Sequence, residues 1–144
     1  MITKANEKET EKILHYAAQS LFEGTRGNCQ LSKEKAIEIT KPLVEKGAYY
    51  LVIREENNIV GWILIGENTE YFSREKLGFI YELYVFSEYR GRGLSRKLMK
   101  AGIKELQEKY SEIRLNVFAG NFAKEMYEDF GFIERQVVMT LRGY

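Results

Sequence analysis

A chain of 144 residues with 44% hydrophobic and 13% aromatic side chains has enough apolar surface for one ordinary core, so neither disorder nor a second core is expected. Its formal net charge of +1 lacks the basic excess with which proteins grip nucleic acid broadly. One cysteine, Cys29, and one histidine, His15, make neither an internal disulfide nor a zinc cluster. The first residues have no apolar stretch that reads as a signal peptide, and no apolar run is long enough to span a bilayer. The expectation is one domain over residues 1–144, in the cytoplasm, with no metal, nucleic-acid or membrane partner.

Residues 2–5 read as a short first strand. From Glu7 to Phe22, Ile13, Leu14, Ala17, Ala18, Leu21 and Phe22 recur at helical spacing, predicting one helix that Gly24 ends. Ser32 and Glu34 open a second helical run to about Lys46, closed by Gly47. Residues 48–54 and 59–65, rich in Val, Ile, Leu and Tyr, form a hairpin around Glu56-Asn57-Asn58. Residues 67–77 are polar and predict a loop or a single helical turn. Strand spacing returns at 78–86, a helix runs from Leu94 to Tyr110, and residues 113–118 read as a strand. A short helix at 121–130 and a last strand at 133–141 complete the order. The pattern is that of an α/β domain with a mixed sheet, antiparallel early and crossing over later.

The most informative stretch runs from Tyr84 to Leu98, where a strand enters a loop with Gly91 and Gly93 that opens directly into a helix. Glycines admit close backbone approach, and the first helical turn offers unpaired N–H groups and a positive dipole end. A phosphate or pyrophosphate suits that combination, with Arg90, Arg92, Arg96 and Lys97 adding charge. A Walker loop needs Lys-Ser/Thr after its last glycine, where Leu94-Ser95 stands, and a dinucleotide fingerprint needs glycine in place of Arg96. The residues alone leave open a glycine-rich turn with a solvated basic face.

This segment resembles the signature of the GCN5-related N-acetyltransferases, Arg/Gln-x-x-Gly-x-Gly/Ala, which Arg90 and Gly93 match and where Ser95 replaces the usual small residue. Residues 80–85 resemble the family's central strand, which splays from its neighbour, and residues 121–132, with Ala123, Tyr127 and Gly131-Phe132, resemble its later motif. The resemblance implies a single-domain fold with a mixed central β-sheet flanked by helices, and acetyl transfer from acetyl-CoA to an amine by direct, ternary-complex attack. It also implies coenzyme contacts from Leu83, Tyr84, Val85, Arg90, Gly91, Arg92, Gly93, Leu94, Ser95, Arg96, Asn121 and Tyr127. Val85 N–H, or a neighbour's, is the implied oxyanion donor, and Tyr127 the implied acid toward the departing thiolate.

The chemistry requires a neutral amine, a polarised carbonyl and a protonated leaving group. Read without the family, Tyr127 belongs to an apolar stripe with Phe122, Ala123, Met126 and Phe130. Glu82 stands where a carboxylate can take the amine's proton directly or through water; its plain alternative is a solvated charge opposite Leu83. Tyr81 holds a position where several relatives carry another acid. His15 reads as packing or surface, and Cys29 has no marked base to make it an acyl carrier.

Two function classes follow: an enzyme acting on a small, peptide or protein amine, and a non-catalytic acetyl-CoA-binding regulatory module. Tyr127 favours the enzyme. The acceptor pocket is expected from the first two helices, the loop at 24–31, the segment 67–77 and the C-terminal strands. Glu67, Glu70 and Glu75 with Tyr71 and Phe72 offer a cationic amine a surface, or are an exposed charge run. A homodimer is compatible with all of this.

Overall fold

The computed structural model describes residues 1–143. Five strands form one sheet in the order β1 (Ile2–Lys4), β2 (Tyr49–Glu55), β3 (Asn58–Thr69), β4 (Lys76–Val85) and β5 (Ile113–Leu115). The first four are successively antiparallel; β5 joins β4 in parallel after the crossover through α4 (Leu94–Gln107). The β2–β3 hairpin turns on Glu56 and Asn57, both with positive φ (50° and 68°), the two-residue turn whose twist matches that of its strands.

Each face of the sheet has its own core. On one, Leu94, Leu98, Met99 and Leu106 of α4 pack against Leu51, Ile53, Ile63, Ile65, Ile80 and Val85. Contact is close at Gly102, where a Cβ would lie 2.8 Å from Ile63 Cδ1. On the other face, Ala5, Ile13, Tyr50, Val52, Trp62, Leu64 and Tyr84 cluster with Leu43 and Val44 of α3 (Lys33–Glu45).

Five elements differ from the sequence expectation. The helix expected over 7–22 is two, α1 (Glu7–Leu14) and α2 (Ala17–Gly24). A reciprocal capping box between Asn6 and Glu9 starts α1. The break at Tyr16 sets its ring edge-on to Phe86, centroids 5.0 Å apart. No Gly or Pro marks that break, so the apolar spacing runs through it. Residues 67–77 are sheet at both ends, because β3 extends to Thr69 and β4 begins at Lys76, leaving a turn over 70–75 held by Glu70. Strand β5 covers three residues rather than six, and α5 (Ala123–Asp129) is shorter than the stretch 121–130. The strand expected at 133–141 is not formed: among the described residues the segment has no regular secondary structure, and no neighbouring strand pairs with it.

Candidate active site

The site begins with a bulge. Down the β3–β4 ladder, Leu64 pairs with Glu82 but Ile65 pairs with Ile80, so Tyr81 is an extra residue on β4. The slip reverses parity along the strand. Gly78 N–H bonds Glu112 O on the β5 side, whereas Phe86 N–H bonds Val60 O on the β3 side. By the two-residue alternation of a ladder, Glu82 and Tyr84 turn their backbone groups to β3, and Leu83 and Val85 turn theirs away from it. On that second side β5 has already stopped, since its pairing covers only Gly78, Phe79 and Ile80. Leu83 and Val85 therefore present a short free edge inside the sheet, where the strands part. Among the described residues, Val85 O accepts there from Arg90 Nε at 2.8 Å.

Directly beyond Val85 lie a 3₁₀ turn, Ser87–Tyr89, and the glycine loop. Gly91 and Gly93 hold φ of 82° and 76°, the left-handed region where a side chain is strained, and the space at both Cβ positions is open. Gly93 caps α4 with no side-chain hydrogen bond. The first intrahelical bond is Lys97 N–H to Gly93 O, leaving the N–H groups of Leu94, Ser95 and Arg96 without helical partners. A free helix N-terminus, two open glycines and a free strand edge in succession fit a long phosphorylated ligand with an amide-bearing arm.

The three arginines around the loop are already engaged. Arg90 Nη2 donates to Glu23 at 2.7 Å, Arg92 to Glu55 at 3.1 Å and Arg96 to Asp129 at 2.8 Å. Arg90 also lies over the Tyr84 ring, so it ties α2 to the end of β4. Asn121 bridges differently: its Nδ2 donates to Gly24 O at 3.2 Å, and its Oδ1 accepts from Ala123 N–H at 2.9 Å.

The bulge also puts Tyr81 and Glu82 together on the α2 face. Glu82 accepts Trp62 Nε1–H at 2.5 Å and a hydrogen bond from Ser20. Burial pushes its pKa up to about 7, against the pull of those two donors. Beside it, Tyr84 Oη accepts from Gln19 Nε2 at 2.5 Å and donates to Glu23 Oε2 at 2.9 Å. Gln19, Ser20 and Glu23 were not singled out in the sequence; the kink that aims them at β4 has no local signature. Tyr127, on α5, packs against the α4-side core with Phe132 edge-on at 6.3 Å. Burial raises its phenol pKa, with no hydrogen bond contributing, which keeps the proton on oxygen.

A shallow depression of about 450 Å³ lies over this region, lined by Phe22, Glu23, Arg26, Gly27, Asn121 and Phe122. Arg26 reaches Ala119 O across it at 3.4 Å. Of the expected acceptor-binding acids, Glu70 is turned inward, accepting the N–H groups of Phe72 and Ser73 and facing Arg114 at 3.8 Å. Glu67 accepts from Tyr110.

A mixed sheet that parts beside a bulged strand, feeding a glycine loop and an uncapped helix, makes a site shaped for a nucleotide cofactor with an extended arm. The model of the Acetyltransferase (GNAT) family matches residues 13–132, and the chain belongs to that family. It is an acetyltransferase that uses acetyl-CoA as co-substrate and transfers acetyl to an amine. The chain is 31% identical over 140 residues to the uncharacterized N-acetyltransferase YycN of Bacillus subtilis, covering 88% of this chain and 84% of that protein. It is 33% identical over 107 residues to the spermine/spermidine N(1)-acetyltransferase of the same organism, covering 71% and 65%. Among solved structures, the aminoglycoside 6'-N-acetyltransferase AAC(6')-IG of Acinetobacter haemolyticus superposes with a TM-score of 0.72 at 16% identity, covering 100% and 98%. The ribosomal-protein-alanine N-acetyltransferase of Brucella melitensis gives 0.67 at 18%, covering 99% of each chain. No helix among the described residues is long and apolar enough to cross a membrane.

Proposed function

We propose that this enzyme, a single cytoplasmic domain, acetylates a primary amine by direct attack on acetyl-CoA in a ternary complex. The observation that carries the reading is the free edge at Leu83 and Val85, in line with the open N-terminus of α4. The N–H groups of residues 91–96 receive the pyrophosphate, and the backbone of Leu83 and Val85 pairs with the pantetheine arm. Val85 N–H then faces the carbonyl oxygen on which negative charge develops. Glu82, with a pKa near neutrality, takes the proton lost by the attacking nitrogen, directly or through water. As the carbon–sulfur bond breaks, Tyr127 gives its proton to the sulfur. Cys29 takes no part.

The acceptor enters over α2 and the depression beside Glu23 and Asn121. The spermine/spermidine relative supports testing polyamines first, with aminoglycosides, amino acids and peptides beside them. Release of free thiol from acetyl-CoA, measured with that panel, is expected to be acceptor-dependent. Tight acetyl-CoA binding with no acceptor-dependent release across the panel would favour the alternative, a regulatory module that holds the coenzyme without transferring it.

A further inference from the structure

Tyr50 lies in the core under α3 with 1% exposure, yet its hydroxyl has no hydrogen-bond partner. Among the described residues it is the one buried side-chain oxygen or nitrogen in that position. A sealed, unpaired hydroxyl opposes stability, and phenylalanine would fill the same space without that cost. Packing alone gives no reason for the oxygen.

The sheet aligns it with one group. Tyr50 pairs with Leu64 across β2 and β3, and Leu64 pairs with Glu82 across β3 and β4, so the three side chains form a row on one face. Tyr50 and Glu82 stand two strand spacings apart, roughly 10 Å between Cα atoms, with Leu64 between them. The other polar tips in that core are already bonded. Trp62 Nε1 donates to Glu82, Tyr84 Oη to Glu23 and Tyr81 Oη to Glu67 O. Glu82 is the group with room left: a carboxylate has about four acceptor sites, and its donors here are Trp62 and Ser20. After burial, the Glu82 charge is what raises the Tyr50 phenol's pKa, so the two groups feel each other across Leu64. The remaining neighbours bring no competing charge. From α1 and α3 come Ile13, Leu43 and Val44, and Tyr16 lies against Trp62; on α2, Glu23 is held by Arg90.

We propose that Tyr50 is a positioning residue for Glu82: as the carboxyl ionises, the Tyr50 hydroxyl turns to it and donates a third hydrogen bond, directly or through one water. In apolar surroundings a carboxylate needs such donors to exist near neutral pH. The phenol keeps its own proton throughout, and the proton Glu82 later takes is the one lost by the attacking nitrogen. This deepens the proposed mechanism and rests on it for the identity of the base, whereas the pairing of Tyr50 with Glu82 can be read without turnover.

Trp62 is the chain's one tryptophan and donates to Glu82 at 2.5 Å, so its fluorescence reports ionisation of that carboxyl. Titrated from about pH 5 to 9, the wild-type protein is expected to show a step near neutrality that Glu82→Gln abolishes. Tyr50→Phe removes only an unbonded hydroxyl, so the fold is expected to survive and the midpoint to move upward by about one pH unit. With a working acceptor, the rising limb of kcat/KM should move by the same amount. Below the step Tyr50→Phe should melt at or above the wild-type temperature, and above the step it should melt lower. A step that stays in place in folded Tyr50→Phe protein overturns the proposal. So does a wild-type protein with no step that Glu82→Gln removes. A midpoint that moves while the kcat/KM limb stays still upholds the pairing and takes the role of base away from Glu82.

Discussion

In the proposed mechanism Tyr127 and Glu82 do opposite jobs, and their surroundings suit each to its own. Burial raises the phenol's pKa, so Tyr127 holds a proton to give. Tyr127→Phe keeps the ring and its contact with Phe132, and should lower turnover by ~10²–10⁴-fold with coenzyme affinity little changed. A Phe variant with wild-type turnover, measured at saturating acceptor beside a melting curve, returns Tyr127 to a packing role. Glu82 must be ionised to accept a proton, so kcat/KM should climb with pH through its value of about 7. Glu82→Gln keeps an acceptor for Trp62 and cannot take the proton. Its rate should fall by ~10²–10³-fold and lose that limb of the profile. An unchanged profile in the Gln variant would assign the limb to the substrate amine.

At the scale of elements, the decisive feature is the β4–loop–α4 unit. Gly93 stands in left-handed backbone with open space at its Cβ position, so Gly93→Val places two methyls where a phosphate would lie. The strain costs about 1–2 kcal/mol. Losing two backbone contacts to phosphate, each ~1.5–3 kcal/mol, should weaken acetyl-CoA binding by ~10²-fold or more. Unchanged affinity by calorimetry in a folded Gly93→Val protein would falsify the loop as the phosphate site. This unit was legible in sequence because its glycines, its strand and its helical spacing are all local signals. The bulge at Tyr81 was not, since a ladder slip shows only against the partner strand, although Tyr81 and Glu82 as adjacent polar-tipped residues fit it. The break at Tyr16 was hidden by continuous helical spacing through Ala17 and Ala18. The segment 133–141 has the composition of a strand, but composition cannot supply a neighbour to pair with. The charges of Arg90, Arg92 and Arg96 were legible as well; their pairing with Glu23, Glu55 and Asp129 was not, because those acids come from distant parts of the chain.

At the scale of the whole molecule, two cores share one sheet, and carboxylates on its α2 face and rim respond to acid in opposite senses. Glu9 is held below its ordinary value by the hydrogen bond from Arg54 and then by Asn6 N–H. Burial would raise Glu23, but hydrogen bonds from Arg90, Tyr84 and Gln19 outweigh it. Glu70 is lowered chiefly by the N–H groups of Ser73 and Phe72. For these three the folded state prefers the ionised form. Their contribution is present above the ordinary carboxylate value and is lost as pH falls below it. Glu82 runs the other way. Its raised value means the folded state prefers the protonated acid, so its contribution is full below 4.5 and lost as pH rises through about 7. Thermal stability should therefore peak between about pH 5 and 6, and the descent toward pH 8 should be the part that belongs to Glu82. Ionising that carboxyl costs up to about 3 kcal/mol, or several degrees in Tm for a chain of this size. Glu82→Gln should flatten the alkaline side of the Tm–pH curve and leave the acid side as it was. Melting curves of both proteins across that range decide it: a Gln variant that loses as many degrees as the wild type between pH 5 and 8 would place the descent elsewhere.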